Sequence, residues 1–455
     1  MLRPYEKYKD TRALWIDKIP FQWETRKVRE LFIERKLKVS DKDYAPLSVS
    51  KAGIVPQLET AIKTDNGDNR KLVKAGDFVI NSRSDRKGSS GISPLDGSVS
   101  LINIVLKPIT NENSRYLHYL LRCVPFTEEY FRNGRGLVAD LWTTRYSELK
   151  NIHLPVPPRQ EQDQIVRFLD WKITEITRYI KGKKKEISNL TELKNSLIFH
   201  AVTKGFHQSV TKSSQQSWIG DIPAHWEEKM LFQCAAEQKI SNKNVHNQNL
   251  LSLSYGRIVN KDINTTTGLL PASFDTYQII HDGNIILRLT DLQNDHKSLR
   301  VGLSTQTGII TSAYTCLKPR ENMLSEYLYL LLHSYDVSKL FYGMGGGVRQ
   351  SIGYNDIRRM IVLLPPKEEQ QEIVSYCLEV QAKIDLLIDS IKKEISYLGE
   401  LQTKTIADVV TGQVDVRAVN IPEYEVVTSD ELNEVAEEDI NDEPDEEPLC
   451  EEVVV

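Results

Sequence analysis

LPVPPRQEQDQIVRFLDWKITEITRYIKGKKKEISNLTELKNSLIFHAVTKG, Leu154 to Gly205, decides how this chain folds. It recurs as LLPPKEEQQEIVSYCLEVQAKIDLLIDSIKKEISYLGELQTKTIADVVTG, Leu363 to Gly412. Each copy opens on two prolines, Pro157-Pro158 and Pro365-Pro366, and runs through an acidic, Gln-rich turn into a long apolar rhythm. Proline suits a helix start, where the first N–H groups have no intrahelical partner, and early acids favour the positive end of the helix dipole. Two long helices are therefore expected. A helix over 159–203 would be roughly 68 Å long at 1.5 Å per residue. In the first, steps of seven connect Val166, Ile173, Ile180, Ile187, Lys194 and Ala201, with Leu169, Ile176, Lys183, Leu190 and Leu197 as companions. A shift of 208 positions gives Val374, Gln381, Ile388, Ile395, Gln402 and Val409, with Cys377, Ile384, Ile391, Leu398 and Thr405. Alternating steps of three and four read as a coiled-coil seam, with each helix as the other's partner.

The repeat is wider than the helices. Trp15 to Pro20 with Trp23-Glu24 returns as Trp218 to Pro223 with Trp226-Glu227. Leu47 to Ser50 returns as Leu251 to Ser254, and Ala75 to Ile80 aligns with Asp282 to Leu287. Short strands broken by Gly and Pro precede a short helix in each copy, at 114–122 and 325–334. The expected fold class is α+β: two similar globular domains separated by two long antiparallel coiled-coil helices, with pseudo-two-fold symmetry.

A chain of 455 residues exceeds one ordinary core, and 40% hydrophobic with 27% charged residues describes a soluble globular protein. No apolar run is long enough for a membrane span. The five cysteines (Cys123, Cys234, Cys316, Cys377, Cys450) form no C-x-x-C pair, which fits a reducing, cytoplasmic setting. The formal charge of −5 hides an asymmetry. From Ile421 onward there are fifteen acids and no Lys or Arg, leaving 48 acids against 58 bases, about +10, elsewhere. A basic body suits a polyanion such as DNA, although the same charge spread thinly is also an ordinary solvated surface.

Catalytic motifs are lacking. There is no G-x-x-x-x-G-K-[ST] loop, no Asn/Asp-Pro-Pro-aromatic tetrad of an amino-methyltransferase, and no H-x-x-x-H or H-E-x-x-H. No catalytic residue and no metal ligand is assigned. Candidate nucleic-acid contacts lie in loops at matched places in the two copies. The first offers Lys51, Arg83, Arg86, Lys87, Arg132 and Arg135; the second offers Tyr255, Arg257, Arg288, Lys297, Arg300, Arg349 and Gln350. Arg reads guanine O6 and N7 bidentately, Gln reads adenine, and lysine meets phosphate. Helix packing is assigned to Ile173, Ile176, Ile180, Ile187, Leu190 and Leu197 in the first helix, and to Ile384, Ile388, Ile391, Ile395 and Leu398 in the second.

Together, Leu364-Pro365-Pro366-Lys367-Glu368-Glu369-Gln370-Gln371-Glu372-Ile373-Val374, Val410 to Arg417 and Ile222-Pro223-Ala224-His225-Trp226-Glu227 resemble the specificity subunit of type I restriction–modification enzymes. The first-half counterparts are weaker, since Lys204 interrupts the Thr-Gly pair at Thr203 and Gly205. The resemblance implies target recognition domains at 1–156 and 206–364 and spacer helices at 157–205 and 365–417; the acidic tail at 418–455, expected from its composition to be disordered, lies outside the family pattern. It implies that each domain reads half of a split, asymmetric site on double-stranded DNA, with the helices fixing the gap. It further implies two modification subunits carrying S-adenosylmethionine and the adenine-N6 methyltransferase site, and restriction subunits using ATP and Mg2+, with no cofactor on this chain. A self-contained DNA methyltransferase or nuclease with an unrecognised site, and a coiled-coil scaffold that never meets DNA, are the alternatives.

Overall fold

Strand Phe78–Asn81 is buried along its whole length, and alternation of its side chains divides each domain core. Phe78 and Ile80, with Ile104 and Leu106 of the neighbouring strand Asn103–Pro108, face a large core. Val79 and Val105 face a small one with Leu47, Ile54, Val73 and Val99. The same division recurs later in the chain. Ile285, Leu287 and Leu317 enter a large core, whereas Ile286 and Cys316 join Leu251, Leu253, Ile280 and Ile310. This computed structural model describes residues 3–57, 67–136, 142–206, 209–245, 247–263, 273–290, 292, 295, 298–344 and 352–425.

Two compact units result. One gathers Met1–Lys183 with Lys392–Glu443, and the other is built on Lys184–Ile391. The central sheet of the first runs Ser90–Ile92, Phe78–Asn81, Asn103–Pro108, Phe32–Glu34, all antiparallel. That of the second runs Val301–Leu303, Ile285–Leu287, Thr315–Pro319, Ala235–Glu237 in the equivalent order. A hairpin accompanies each sheet: Leu47–Ser50 with Gly53–Pro56, and Leu251–Ser254 with Arg257–Asn260. Helices Ser114–Leu120 and Val124–Arg132 cover the first large core, and Ser325–Val337 covers the second.

The repeated motifs fasten helix ends to these domains. In the first unit the Trp23 indole donates to Glu161 Oε1 at 2.9 Å, and the Tyr5 hydroxyl donates to the same oxygen at 2.6 Å. Gly412 ends the second long helix at φ +76°, where a Cβ would lie 2.4 Å from Pro20 Cδ, so only glycine fits. In the second unit Gly205, at φ +66°, packs on Trp226, while His225 Nε2 lies 2.9 Å from Glu369. The glutamine after each proline pair has one job in both places. Gln162 Oε1 accepts from Asn113 N–H and its Nε2 donates to Pro157 O; Gln370 does the same with Leu324 and Pro365.

The helices form as expected, Arg159–Lys204 and Lys367–Val410. The expected long antiparallel coiled-coil pair, and the pseudo-two-fold drawn from it, are corrected: two sheet-rich domains are linked by helices, and no such coiled-coil pair is evident. In neither unit do the helix backbones run side by side at coiled-coil separation over a sustained stretch. Ile176, Ile180, Ile384, Ile388 and Ile391 are buried, but Ile173, Ile187, Leu190, Leu197, Ile395 and Leu398 are only half-buried. Leu378, Leu386 and Leu401 are exposed. The physical reason is that the apolar steps near the helix ends serve domain cores. Ile165, Val166, Phe168, Leu169, Val409 and Val410 belong to the first core, and Ile198, Ala201, Val202, Ile373 and Cys377 to the second. Nearer the middle, polar bridges replace apolar knobs: Lys183 to Glu394 at 3.1 Å, and Lys194 to Asp385 at 2.7 Å.

Candidate nucleic-acid interface

In the first unit, the loop after Phe78–Asn81 starts when Asn81 Oδ1 accepts the Arg83 N–H at 3.0 Å, followed by a 3-10 turn at Ser84–Arg86. A second segment locks onto it. Arg135 and Thr143 exchange both backbone hydrogen bonds, Ser84 N–H donates to Trp142 O at 3.1 Å, and Thr144 N–H donates to Ser82 O at 2.9 Å. Gly134 is required there, since a Cβ would lie 2.2 Å from Trp142 Nε1. That nitrogen donates to Phe131 O at 2.8 Å, the Phe131 and Trp142 rings lie 6.1 Å apart, and Lys87 Nζ sits 4.7 Å over the Phe131 ring.

Five of the expected cations therefore share one surface. Each is held by a carboxylate: Arg83 by Asp85 at 3.2 Å, Arg86 by Asp85 at 4.0 Å, Lys87 by Glu128 at 2.6 Å, Arg132 by Glu129 at 2.8 Å, and Arg135 by Glu148 at 3.8 Å. The Ser147 hydroxyl, and less strongly Arg135, hold the Glu148 carboxyl below the usual carboxylate range. Pairs in which both charges meet water are worth little, so exchanging such a carboxylate for a DNA phosphate costs little. Lys51 lies apart, exposed at the tip of the first hairpin.

The second unit distributes its residues differently. Tyr255 occupies the second hairpin's tip with φ +44° and 45% exposure, followed by Gly256 and the exposed Arg257. A bulky residue in the left-handed region is uncommon, and such strain concentrates at functional positions. Arg288 and Arg300 lie inside, 7% and 0% exposed. Arg300 Nη1 donates to Thr290 O at 2.7 Å, Nη2 to Asp295 O, and Nε to the Tyr342 hydroxyl at 3.1 Å. Its backbone N–H donates to Asp336 Oδ2 at 2.6 Å, and burial pushes the Asp336 carboxyl up to about 6. Arg300 thus braces its loop from within rather than facing solvent. Lys297, Arg349 and Gln350 lie outside the described residues.

The sequence reading did not single out Trp142, Phe131, Arg122 or Tyr329. Trp142 carried the clearest signal, an aromatic ten residues after Arg132 in a basic, glycine-containing segment. Among the described residues, no group of three or more His, Cys, Asp or Glu is placed to hold a metal ion. The four described cysteines are buried, and burial pushes Cys123, Cys316 and Cys377 up to about 12 and Cys234 to about 11, far from nucleophilic thiolates. No described helix is long and apolar enough to cross a membrane.

With that geometry in place, comparison with known proteins is decisive. The family model of the type I restriction modification DNA specificity domain matches residues 20–189 and 277–397. The chain belongs to this family. Its general role is DNA specificity in type I restriction–modification. It is similar to the putative type I restriction enzyme MjaX specificity subunit of Methanocaldococcus jannaschii, 22% identical over 453 residues, spanning 92% of this chain and 99% of that protein. It also resembles the type I restriction enzyme MjaVIII specificity subunit of the same organism, 24% identical over 290 residues, 60% of this chain and 64% of the relative. A solved structure described as the structural basis underlying complex assembly and conformational transition of the type I R-M system aligns with a TM-score of 0.62. At 14% identity over 87% of this chain and 99% of the other, that likeness speaks for the fold alone.

Proposed function

We propose that this specificity-domain protein reads a two-part, asymmetric duplex DNA site, one half per unit. It presents that site to an adenine-N6 methyltransferase on two modification subunits and to restriction subunits that translocate and cleave. The observation carrying this reading is one scaffold with two different surfaces. Sheet order and hairpin recur, but the first hairpin's tip carries Lys51 where the second's carries Tyr255 and Arg257, and the first unit also displays Arg83, Arg86, Lys87, Arg132 and Arg135. Equal scaffolds with unequal readers suit unequal half-sites. The reading domains are 1–156 and 206–364, the linking helices 157–205 and 365–417, and the acidic tail 418–455. S-adenosylmethionine, ATP and Mg2+ belong to the partner subunits. The methyltransferase must draw its adenine from the stack, so a separate subunit gripping flanking DNA has clear use. Phosphate contacts from lysines supply affinity, and arginine contacts to base edges supply sequence.

The test is methylation of a randomised duplex library by the chain assembled with its modification subunits. The expected product is N6-methyladenine in a two-part motif. Replacing Arg83 and Arg86 together with alanine should change the bases of one half and spare the other. An undivided motif, or a change spread equally over both halves, would refute the assignment.

A further inference from the structure

Both hairpins are built as fixed fingers, and the same two devices hold each. The first is a glycine in the adjoining edge strand. Gly91 faces the first hairpin so closely that a Cβ would lie 3.3 Å from Gly53 Cα and 3.6 Å from Ile54 N. At the matching place, a Cβ on Gly302 would lie 2.5 Å from Leu253 Cδ1 and 3.1 Å from Ile258 Cδ1, both in the second hairpin. The second device is a polar side chain reaching to the tip, from the turn that ends helix Ser114–Leu120 in one unit and from helix Ser325–Val337 in the other. Arg122 Nη2 donates to Lys51 O, and its Nη1 lies 3.0 Å from His118 Nε2. In the other unit the Tyr329 hydroxyl points at Gly256 O, 3.5 Å away, with the His333 ring 5.6 Å from the Tyr329 ring. Burial holds both imidazoles far below their usual range, His118 at about 3 and His333 at about 4, so they brace these side chains as neutral rings.

A hairpin tip with no duty needs no tether, because a loop at a surface satisfies its carbonyls with water. Here a guanidinium, with five donors and a strong preference for charged partners, is spent on a tip carbonyl. The tips also carry different chemistry on equal mounts: Lys51-Ala52 in one, and Tyr255 in its strained conformation beside Arg257 in the other. We infer that the two hairpins are sequence-reading fingers, and that Arg122 and Tyr329 are positioning residues that set the tips against the base edges of their respective half-sites. The inference rests on the DNA-reading function proposed above. A rigid mount matters for readout because a bidentate contact loses its discrimination when the donor shifts by a fraction of its bond length.

The experiment uses the chain assembled with its modification subunits, the randomised duplex library, and the variants Arg122→Met, Arg122→Lys and Tyr329→Phe. Thermal unfolding and the salt dependence of binding are read alongside. Tyr329→Phe removes one hydroxyl and keeps the packed ring, so it guards against simple misfolding. Arg122→Met should lower discrimination about tenfold at the half-site of the first unit and leave the other half intact, about the loss of one good base contact. Arg122→Lys should restore it only in part. Tyr329→Phe should do the mirror image. Unfolding temperature of the phenylalanine variant and the salt slope of all variants should stay at the wild-type value. A uniform loss of affinity with a shallower salt slope would make Arg122 a phosphate contact and overturn the inference. So would unchanged preferences in variants of a wild type that shows a two-part motif. A wild type with no two-part motif would instead overturn the DNA-reading function itself.

Discussion

Asp336 shows what a buried carboxylate does to its domain. Its Oδ2 accepts the Arg300 N–H, its Oδ1 has no hydrogen-bond partner, and burial raises its pKa from 3.8 to about 6. The folded chain therefore holds that proton more tightly than the unfolded chain. The resulting stability is fully present below the unfolded value and is lost as pH rises through about 6. Some two pH units correspond to about 3 kcal/mol. Asp336→Asn keeps an acceptor for Arg300 and removes the titration. Its unfolding temperature should exceed that of the wild type increasingly as pH climbs from 4 to 7, and a gap that ignores pH would contradict this. The neighbouring Arg300 marks the limit of reading charge from sequence. As a letter it belongs with solvated loop cations, yet Thr290, Asp295 and Tyr342 consume its guanidinium inside the domain. Arg83, Arg86, Lys87, Arg132 and Arg135 did land on one surface, because strand Phe78–Asn81 and helix Val124–Arg132 end side by side. Trp142 was not legible as part of that surface, since its place depends on the backbone pairing of Arg135 with Thr143.

At the scale of the element, the two long helices carry glycines with nothing around them. A Cβ on Gly182 or Gly399 would meet no atom within 4 Å, and both sit in regular helix. Alanine at either position should stabilise by about 1 kcal/mol, mostly by restricting the unfolded chain. Chemical denaturation of each variant measures this. Destabilisation would mean that the helices bend there for a reason that open space does not reveal. The helices themselves were plain in the sequence, because proline pairs and a 3.6-residue rhythm act locally. What the rhythm packs against was not plain. Val166, Leu169 and Val409 repeat at seam spacing and yet fill a domain core, whereas Leu386 and Leu401 keep the apolar character and face solvent. Periodicity specifies a stripe and says nothing of its partner, so a coiled coil was read where domain cores take the ends of the stripe. The Trp-Glu and Thr-Gly repeats were legible as repeats. Their meaning as fasteners appeared only when Gly412 was seen against Pro20 and Trp23.

The whole chain carries a formal charge of −5 over a body that is basic, and the imbalance can be removed at one cut. Past Glu425 the sequence holds thirteen acids and no base, so ending the chain there changes the formal charge from −5 to +8. The cut spares the anchored stretch before it. Gln164 Nε2 donates to Val416 O and Val419 O, the Tyr424 hydroxyl donates to Arg167 O at 3.2 Å, and Arg178 lies 3.7 Å from Glu425. A polyanionic segment tethered to a DNA-binding body raises the electrostatic work of bringing a second polyanion close, and salt screens that work over a Debye length of about 8 Å at physiological ionic strength. The shortened chain, assembled with its modification subunits, should bind random-sequence duplex several-fold more tightly at about 50 mM salt. That advantage should shrink steadily as salt rises, because counterion release dominates non-specific affinity. Discrimination between target and random DNA should stay the same, since base contacts are unchanged and the electrostatic gain is common to both duplexes. Titration at three salt concentrations separates the outcomes: equal affinities at low salt would show that the acids do not oppose DNA, and an advantage that persists undiminished at high salt would place the effect in shape rather than charge.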